Sequence, residues 1–344
     1  MRLLVSFRKS VIPVIDNQNL KSISIVVSLK NESGNIENLI NSLANLDYPA
    51  DKFEAIFVDD NSSDNTFELL RNYTSRINHF RVLKSNYIGN FGKKYALDYG
   101  ISESRFDLIV FTDADCTYGS NWLNTFSQMF EANDVVIGCA PYWCNPESTF
   151  MQLYFCFENM RNHIITFAAA NLGIPYSAAS RSFGFRKSAF LAVNGYQDLY
   201  KYKSGDDDLL LQKFIQAKYN INAFTNTSAF AVSEPPKRLN SYLKQRSRHV
   251  STSARYSTKV KLFLAIWHIL NIVFACSFLF SFFHPFFVIP TLLKILIDIQ
   301  SGKRFEKEFN LRFSFTQIFT FSFLYEILLV VNYWNSRTKS IVWK

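Results

Sequence analysis

Between Leu262 and Phe283 the chain carries no formal charge, a stretch long enough for a helix to cross the hydrocarbon core of a bilayer. A soluble domain rarely spends such a run on one element, so part of this protein is expected to have lipid as its solvent. Composition agrees. Of the 344 residues 48% are hydrophobic and 35 are Phe, and the excess falls mostly after residue 260.

Two further segments qualify as spans. Phe286 to Ile297 is short and contains Pro290 and Lys294, which fits a tilted span, a re-entrant piece or the return leg of a hairpin turning at His284-Pro285. Phe315 to Trp334 is longer but carries Glu326, whose charge would be costly against lipid and calls for a polar neighbour or a proton. Lys303, Arg304, Lys307 and Arg312 favour the cytoplasmic side for the loop between them, while Arg337, Lys339 and Lys344 then fall on the opposite side, so two and three crossings both stay open.

The net charge of +9 is uneven. No acid occurs between Glu234 and Asp298, whereas Lys237, Arg238, Lys244, Arg246, Arg248, Arg255, Lys259 and Lys261 crowd the first part of that interval. A basic segment abutting an apolar one points to an anionic lipid surface rather than nucleic acid. Leu239 to Tyr256 fits an amphipathic interfacial helix with Leu239, Tyr242, Leu243 and Val250 on its apolar side; Arg246 interrupts the stripe and is read as attraction to lipid. The cysteines, Cys116, Cys139, Cys144, Cys156 and Cys276, show neither zinc spacing nor a disulfide-dense pattern, so a reducing compartment is the default. Residues 1–20 lack a long apolar core, and neither a cleaved signal peptide nor an N-terminal span is expected there.

Ahead of the apolar region, short strands and helices alternate. Strands are expected over Ser22–Leu29, Phe53–Val58, Arg81–Lys84 and Leu108–Thr112, and helices over Ile36–Leu46, from Phe67, and over Lys93–Tyr99. That alternation argues for an α/β fold with a parallel, doubly wound sheet. Beyond it, Trp122–Phe130, Lys187–Val193 and Asp208–Ala217 read as helices, Val135–Cys139 and Arg181–Phe185 as strands, and the aromatic stretch Phe150–Ala170 as part of a second binding surface.

The strands empty into acids. Leu108-Ile-Val-Phe-Thr ends in Asp113-Ala-Asp115, where carboxylate oxygens can converge on a hard divalent cation at the carboxyl end of a strand. Phe53–Val58 ends in Asp59-Asp-Asn-Ser-Ser-Asp-Asn-Thr66, in which Asp64 suits helix capping better than Asp59 and Asp60 do. Asp206-Asp-Asp208 precedes a helix, where acids are favourable as caps alone.

Taken in order, Ser24-Ile-Val-Val-Ser-Leu-Lys-Asn-Glu32, Val58-Asp-Asp-Asn-Ser-Ser-Asp-Asn-Thr66, Thr112-Asp-Ala-Asp115, Gly205-Asp-Asp-Asp-Leu209 and Gln245-Arg-Ser-Arg-His249 resemble the motifs of membrane-associated family 2 glycosyltransferases with a GT-A fold. The resemblance covers roughly Ile23 to Tyr256. It implies that Glu32, Asp59 and Asp60 hold the nucleoside of a nucleotide diphosphate sugar, and that Lys93, in Gly92-Lys93, lies near the nucleotide. It further implies that Asp113 and Asp115 hold Mg2+ or Mn2+, with Asp113 also near the nucleotide, and that Asp206 is the catalytic base with Asp207 as runner-up. Gly205 stands where many relatives carry Glu. Gln245 and Arg248 would position the acceptor and bind the diphosphate, and His249 replaces the family's Trp, which weighs against processive polymerisation. Ser182-Phe-Gly-Phe-Arg-Lys187 and Asn194-Gly-Tyr196 resemble the acceptor-side segment.

The expected organisation is an N-terminal extension over 1–20, a GT-A domain over 21–235, an interfacial segment over 236–260, a transmembrane region over 261–335 and a basic tail over 336–344. The expected function is inverting, metal-dependent hexosyl transfer, from a UDP-sugar on family grounds, to a membrane-associated or lipid-linked glycan acceptor in cell-envelope polysaccharide or glycolipid synthesis. The expected place is a bacterial inner membrane, crossed more than once, with the catalytic domain cytoplasmic. A processive polysaccharide synthase and a catalytically silent nucleotide-sugar-binding subunit are the alternatives.

Overall fold

The computed structural model describes residues 19–85, 92–145, 147–202 and 204–338; most of the expected N-terminal extension and most of the basic tail lie outside the described residues. The described chain falls into two compact units, one built from 19–141 and 165–234, the other from 142–164 and 235–338.

In the first unit β1 (Ile23–Leu29) and β2 (Phe53–Asp59) are buried at every position, as apolar, β-branched strands covered on both faces must be. β3 (Phe80–Lys84) and β4 (Leu108–Thr112) join them in parallel, with β1 lying between β2 and β4. Helices α1 (Ile36–Ala44), α2 (Thr66–Thr74) and α3 (Lys93–Ser102) make the crossovers. Ile23, Ile25, Val27 and Leu29 share a core with Ile36, Leu39, Ile40 and Leu43 of α1. On the other face Gly100 lets α3 approach, since a Cβ there would meet Val26 at 2.5 Å and Val58 at 3.0 Å.

The full sheet has seven strands in the order β3-β2-β1-β4-β7-β6-β8, adding β6 (Val135–Ile137), β7 (Phe183–Arg186) and β8 (Ile221–Ala223). It is mixed rather than wholly parallel, because β7 runs antiparallel to both β4 and β6. Gly184 lets β7 pack close beneath the neighbouring rings, since any Cβ there would meet Phe126 and Phe130 at 2.8–2.9 Å. A small second sheet pairs β5 (Cys116–Tyr118) with β9 (Ala231–Ser233).

The second unit contains α8 (Leu239–Thr252), the span of the expected interfacial helix, with Tyr242 buried. Among the described residues three helical stretches are long and apolar enough to cross a membrane: Thr258–Phe280, Pro285–Glu308 and Phe315–Arg337. Large apolar side chains such as Leu262, Phe286 and Trp334 are exposed along them. The middle one is longer than the sequence suggested, a continuous helix from Val288 to Glu308. Pro290 falls in its first turn, where no amide partner is needed, and the buried Lys294 pairs with Asp298 one turn on.

Two of the five cysteines, Cys144 and Cys156, form a disulfide in this unit, with Cα atoms 6.7 Å apart. Their spacing carries no sequence signal, since they meet only where the segment after Tyr142 turns back on the helix Phe150–Asn171.

Candidate active site

The site is assembled by the edge of the sheet at which the parallel strands end. Leu29 lies beside Asp59 and Val27 beside Thr112, so Glu32, the Asp59-Asp60 pair and Asp113 emerge from neighbouring strands at the same side. The chain leaves β1 for β2 on one flank and returns to β4 on the other, which is the switch point where open α/β sheets receive ligands.

The loops after β1 and β2 are stitched together. The Asn31 amide donates to Ser62 Oγ at 2.9 Å, the Ser63 amide to Asn31 Oδ1 at 2.8 Å and the Glu32 amide to Thr66 Oγ1 at 2.8 Å. Asp64 is indeed spent on this turn, accepting from the Thr66 and Ser33 amides. A slight burial would raise its carboxyl, but hydrogen bonds from Thr66 and Ser33 outweigh that and lower it to about 2. Asn35 donates to the Glu32 carboxylate at 2.7 Å. Asp59 and Asp60 are fully buried, and among the described residues Asp59 Oδ1 and Asp60 Oδ2 have no hydrogen-bond partner. Buried acceptors are rarely left this way, so both have capacity for further donors. Burial raises the Asp60 carboxyl, opposed by the Gly92 amide and Lys30 and assisted by Asp59.

The second half of the site depends on the reversed strand. Because β7 is antiparallel and Phe183 pairs with Phe111, the residues preceding β7 arrive beside the end of β4. That places Ser180 against Asp113, with oxygen separations of 3.2 and 3.3 Å. Lys93, at the start of α3, reaches the same point: its ammonium lies 2.7 Å from Asp113 Oδ1, 2.8 Å from Asp206 Oδ2 and 2.8 Å from Ser180 Oγ. Burial alone would lower the Lys93 pKa, but Asp113 and Asp206 more than compensate and hold the ammonium charged.

The three consecutive acids do three different things. Asp208 begins α7 (Asp208–Gln216) and accepts from Ser177 Oγ at 2.8 Å and the Ala178 amide at 3.0 Å. Asp207 caps that helix, accepting from the Asp208 amide at 2.7 Å and from the Ser180 amide at 2.9 Å. Its carboxyl is pushed up to about 8 by burial, then by Asp208 and Asp206, against the pull of Lys93 and the Asp208 amide. Asp206 alone of the three faces the Lys93 ammonium at ion-pair distance. The bend before it needs the residue the sequence supplies: Gly205 has φ 84°, a left-handed conformation that disfavours the Glu many relatives carry. Tyr196 donates to the Asp206 carbonyl at 2.8 Å, and Lys94 donates to the Ser204 carbonyl at 2.9 Å, fixing the backbone on both sides.

Asp115, two residues beyond Asp113, is exposed. Asp113 and Asp115 are hard oxygen donors suited to Mg2+ or Mn2+. Among the described residues no three His, Cys, Asp or Glu converge on one point, so a divalent ion here would need oxygens from a ligand or water beside these two. Gln245 and Arg248 lie on α8 in the second unit, where Tyr142 donates to Gln245 Oε1 at 3.3 Å. Arg246 is not a lipid-facing charge: it is paired with the buried Glu158 at 3.0 Å. The interruption of the apolar stripe is an internal ion pair.

Sequence reasoning missed Ser180, Ser177 and Lys94. The signal for Ser180 was available in form, a small polar residue leading into a buried strand, but it acquires meaning only once that strand is known to run backwards. Lys94 was masked by Lys93, since consecutive lysines at a helix start usually include an exposed one.

A family model, Glycosyl transferase family 2, matches residues 24–190. The glycosyltransferase AglE of Haloferax volcanii is 26% identical over 144 residues, covering 41% of this chain and 47% of that protein. The beta-monoglucosyldiacylglycerol synthase of Trichormus variabilis is 32% identical over 117 residues, covering 34% of this chain and 25% of that one. The matches thus span about half of one relative and a quarter of the other. Among solved structures, a mannosyltransferase from Pyrobaculum calidifontis in complex with GDP-Man and Mn2+ superposes with a TM-score of 0.59 at 16% identity, covering 98% of this chain and 93% of that one. Residues 24–190 thus carry a glycosyl transferase family 2 domain, and its mixed seven-stranded sheet is that of the GT-A fold.

Proposed function

We propose that the protein is an inverting, metal-dependent hexosyltransferase that moves a sugar from a nucleotide diphosphate donor to a membrane-associated or lipid-linked glycan. The observation that carries this reading is the division of labour among Asp206, Asp207 and Asp208. Two of the three are occupied by backbone amides, and Asp206 is turned toward Asp113 and Lys93.

In this reading Glu32, Asp59 and Asp60 receive the nucleoside, the unpartnered Asp59 Oδ1 and Asp60 Oδ2 accepting base N–H or ribose hydroxyl groups. Lys93 faces the diphosphate. Asp113 and Asp115 hold Mg2+ or Mn2+, which when bound neutralises charge on the departing diphosphate. Asp206 accepts the proton of the acceptor hydroxyl while that oxygen attacks the anomeric carbon in line with the leaving group, so configuration inverts. Gln245 and Arg248 serve the acceptor and the diphosphate, the guanidinium being matched to phosphate oxygens.

Family resemblance favours UDP, whereas the mannosyltransferase of similar fold holds GDP-Man. A glycolipid acceptor is supported by the three apolar helices and by a relative named for glucosyldiacylglycerol synthesis. In this reading the domain lies on the cytoplasmic side of the inner membrane, where nucleotide sugars are made, and the three apolar helices would each cross it. His249 in place of Trp favours single additions over polymerisation.

The test is nucleotide release by the full chain in detergent from a panel of UDP- and GDP-sugars, with membrane glycolipid extract as acceptor, in Mg2+, Mn2+ or chelator. One donor turning over with metal and stopping with chelator supports the reading. Binding of a donor without turnover under every condition would leave the silent-subunit alternative in its place.

A further inference from the structure

The carboxylates of the proposed metal and base positions are already bridged by a cation of the protein's own. The Lys93 ammonium sits between Asp113 and Asp206 at 2.7 and 2.8 Å, with Ser180 Oγ as its third partner at 2.8 Å. Those three contacts match the three donors of an ammonium. Resting on the reading of Asp113 and Asp115 as metal ligands, we infer that Lys93 is a built-in counter-ion that makes the divalent ion enter together with the nucleotide diphosphate rather than before it.

The physical argument has three parts. Asp113 cannot give Lys93 and a divalent ion its full charge at once, and two cations sharing a carboxylate repel strongly at these separations. Among the described residues no third acid converges with Asp113 and Asp115 on one point to offset that repulsion, Asp206 being held on the ammonium. A nucleotide diphosphate changes both terms, because it offers the ammonium a new anionic partner and the metal additional oxygens. The exchange requires only the flexible Lys93 side chain to swing. The helix start itself is pinned by the neighbouring Lys94, which donates to the Ser204 carbonyl at 2.9 Å. The same swing takes the ammonium off Asp206, so the carboxylate is released toward the acceptor when donor is in place.

The experiment is Mn2+ binding to the full chain in detergent, followed by the electron paramagnetic resonance signal of the free ion, with and without UDP or GDP, for the wild type, Lys93→Met and Lys93→Arg. The wild type should retain Mn2+ at least about tenfold more tightly with the nucleotide than without it. Lys93→Met should bind Mn2+ in the absence of nucleotide about tenfold more tightly than the wild type, and Lys93→Arg should preserve the wild-type order. Equal Mn2+ affinity of the wild type with and without bound nucleotide overturns the inference, and so does a folded Lys93→Met that binds Mn2+ no better than the wild type. If Lys93→Met does not fold, the wild-type titration and Lys93→Arg decide. If the wild type binds neither UDP nor GDP with any metal, the reading of the site falls, and the counter-ion inference with it.

Discussion

Buried charge is arranged in opposite ways in the two units. At the sheet edge of the first, Asp113 and Asp206 share the Lys93 ammonium, Asp207 lies next in the chain, and the buried Asp59 Oδ1 and Asp60 Oδ2 have no hydrogen-bond partner among the described residues. In the second, buried acids are paired with cations of the protein. Arg161 meets Glu326 at 3.0 Å and Arg246 meets Glu158 at 3.0 Å, with Asn271 and the face of Tyr325 also against Arg161. An acidic surplus is relieved by protonation, as the raised carboxyl of Asp207 shows, or by cations and donors that a ligand brings. Balanced pairs need nothing from outside and cross-brace helices that have no hydrophobic reason to associate in lipid. The first pattern is therefore read as a site and the second as scaffolding.

Substitutions can break that contrast. The largest effect is expected from Asp206→Asn, which should lower sugar transfer by about 10³-fold while donor binding and melting temperature stay near wild type, checked by acceptor-dependent nucleotide release and thermal unfolding. Asp115→Ala comes next. It should cost about 10²-fold in transfer and flatten the response to added Mn2+, measured by titrating metal into chelated enzyme.

In the second unit the expected damage is to stability. Glu326→Ala leaves Arg161 buried without its anion and should destabilise the protein by about 3 kcal/mol, while transfer per folded molecule changes less than twofold; thermal unfolding in detergent with activity on the surviving fraction separates the two. The smallest effect is at Asp64. Its folded pKa of about 2 lies below the unfolded value near 3.9, so it contributes stability above about pH 4 that disappears as pH falls toward 2. Asp64→Ala should therefore lower the melting temperature by about 2 °C at pH 7 and by nothing measurable at pH 2.

The first four strands and their crossover helices were legible because each is a short apolar run ending in polar turn residues, a signal local to the chain. The acids at their ends were legible for the same reason. What the sequence did not disclose is non-local. The antiparallel course of β7 is expressed in its pairing with β4, far along the chain, and on it depends the placement of Ser180. Glu326 announced that it needed a polar neighbour, yet nothing in its own segment names Arg161 or His268, which lie 3.0 and 3.6 Å away. Arg246 misled because a basic residue in a basic helix resembles a lipid contact until Glu158 is seen beside it. The pairing of Cys144 with Cys156 was hidden in the same way.

The most direct test of the contrast is a side-by-side measurement of metal-dependent sugar transfer by Asp206→Asn and Glu326→Gln, each normalised to folded protein. The account predicts that Asp206→Asn is folded and nearly silent, and that Glu326→Gln transfers sugar at close to the wild-type rate. A folded Glu326→Gln without activity beside an active Asp206→Asn would contradict it, and would move the chemistry away from the sheet edge.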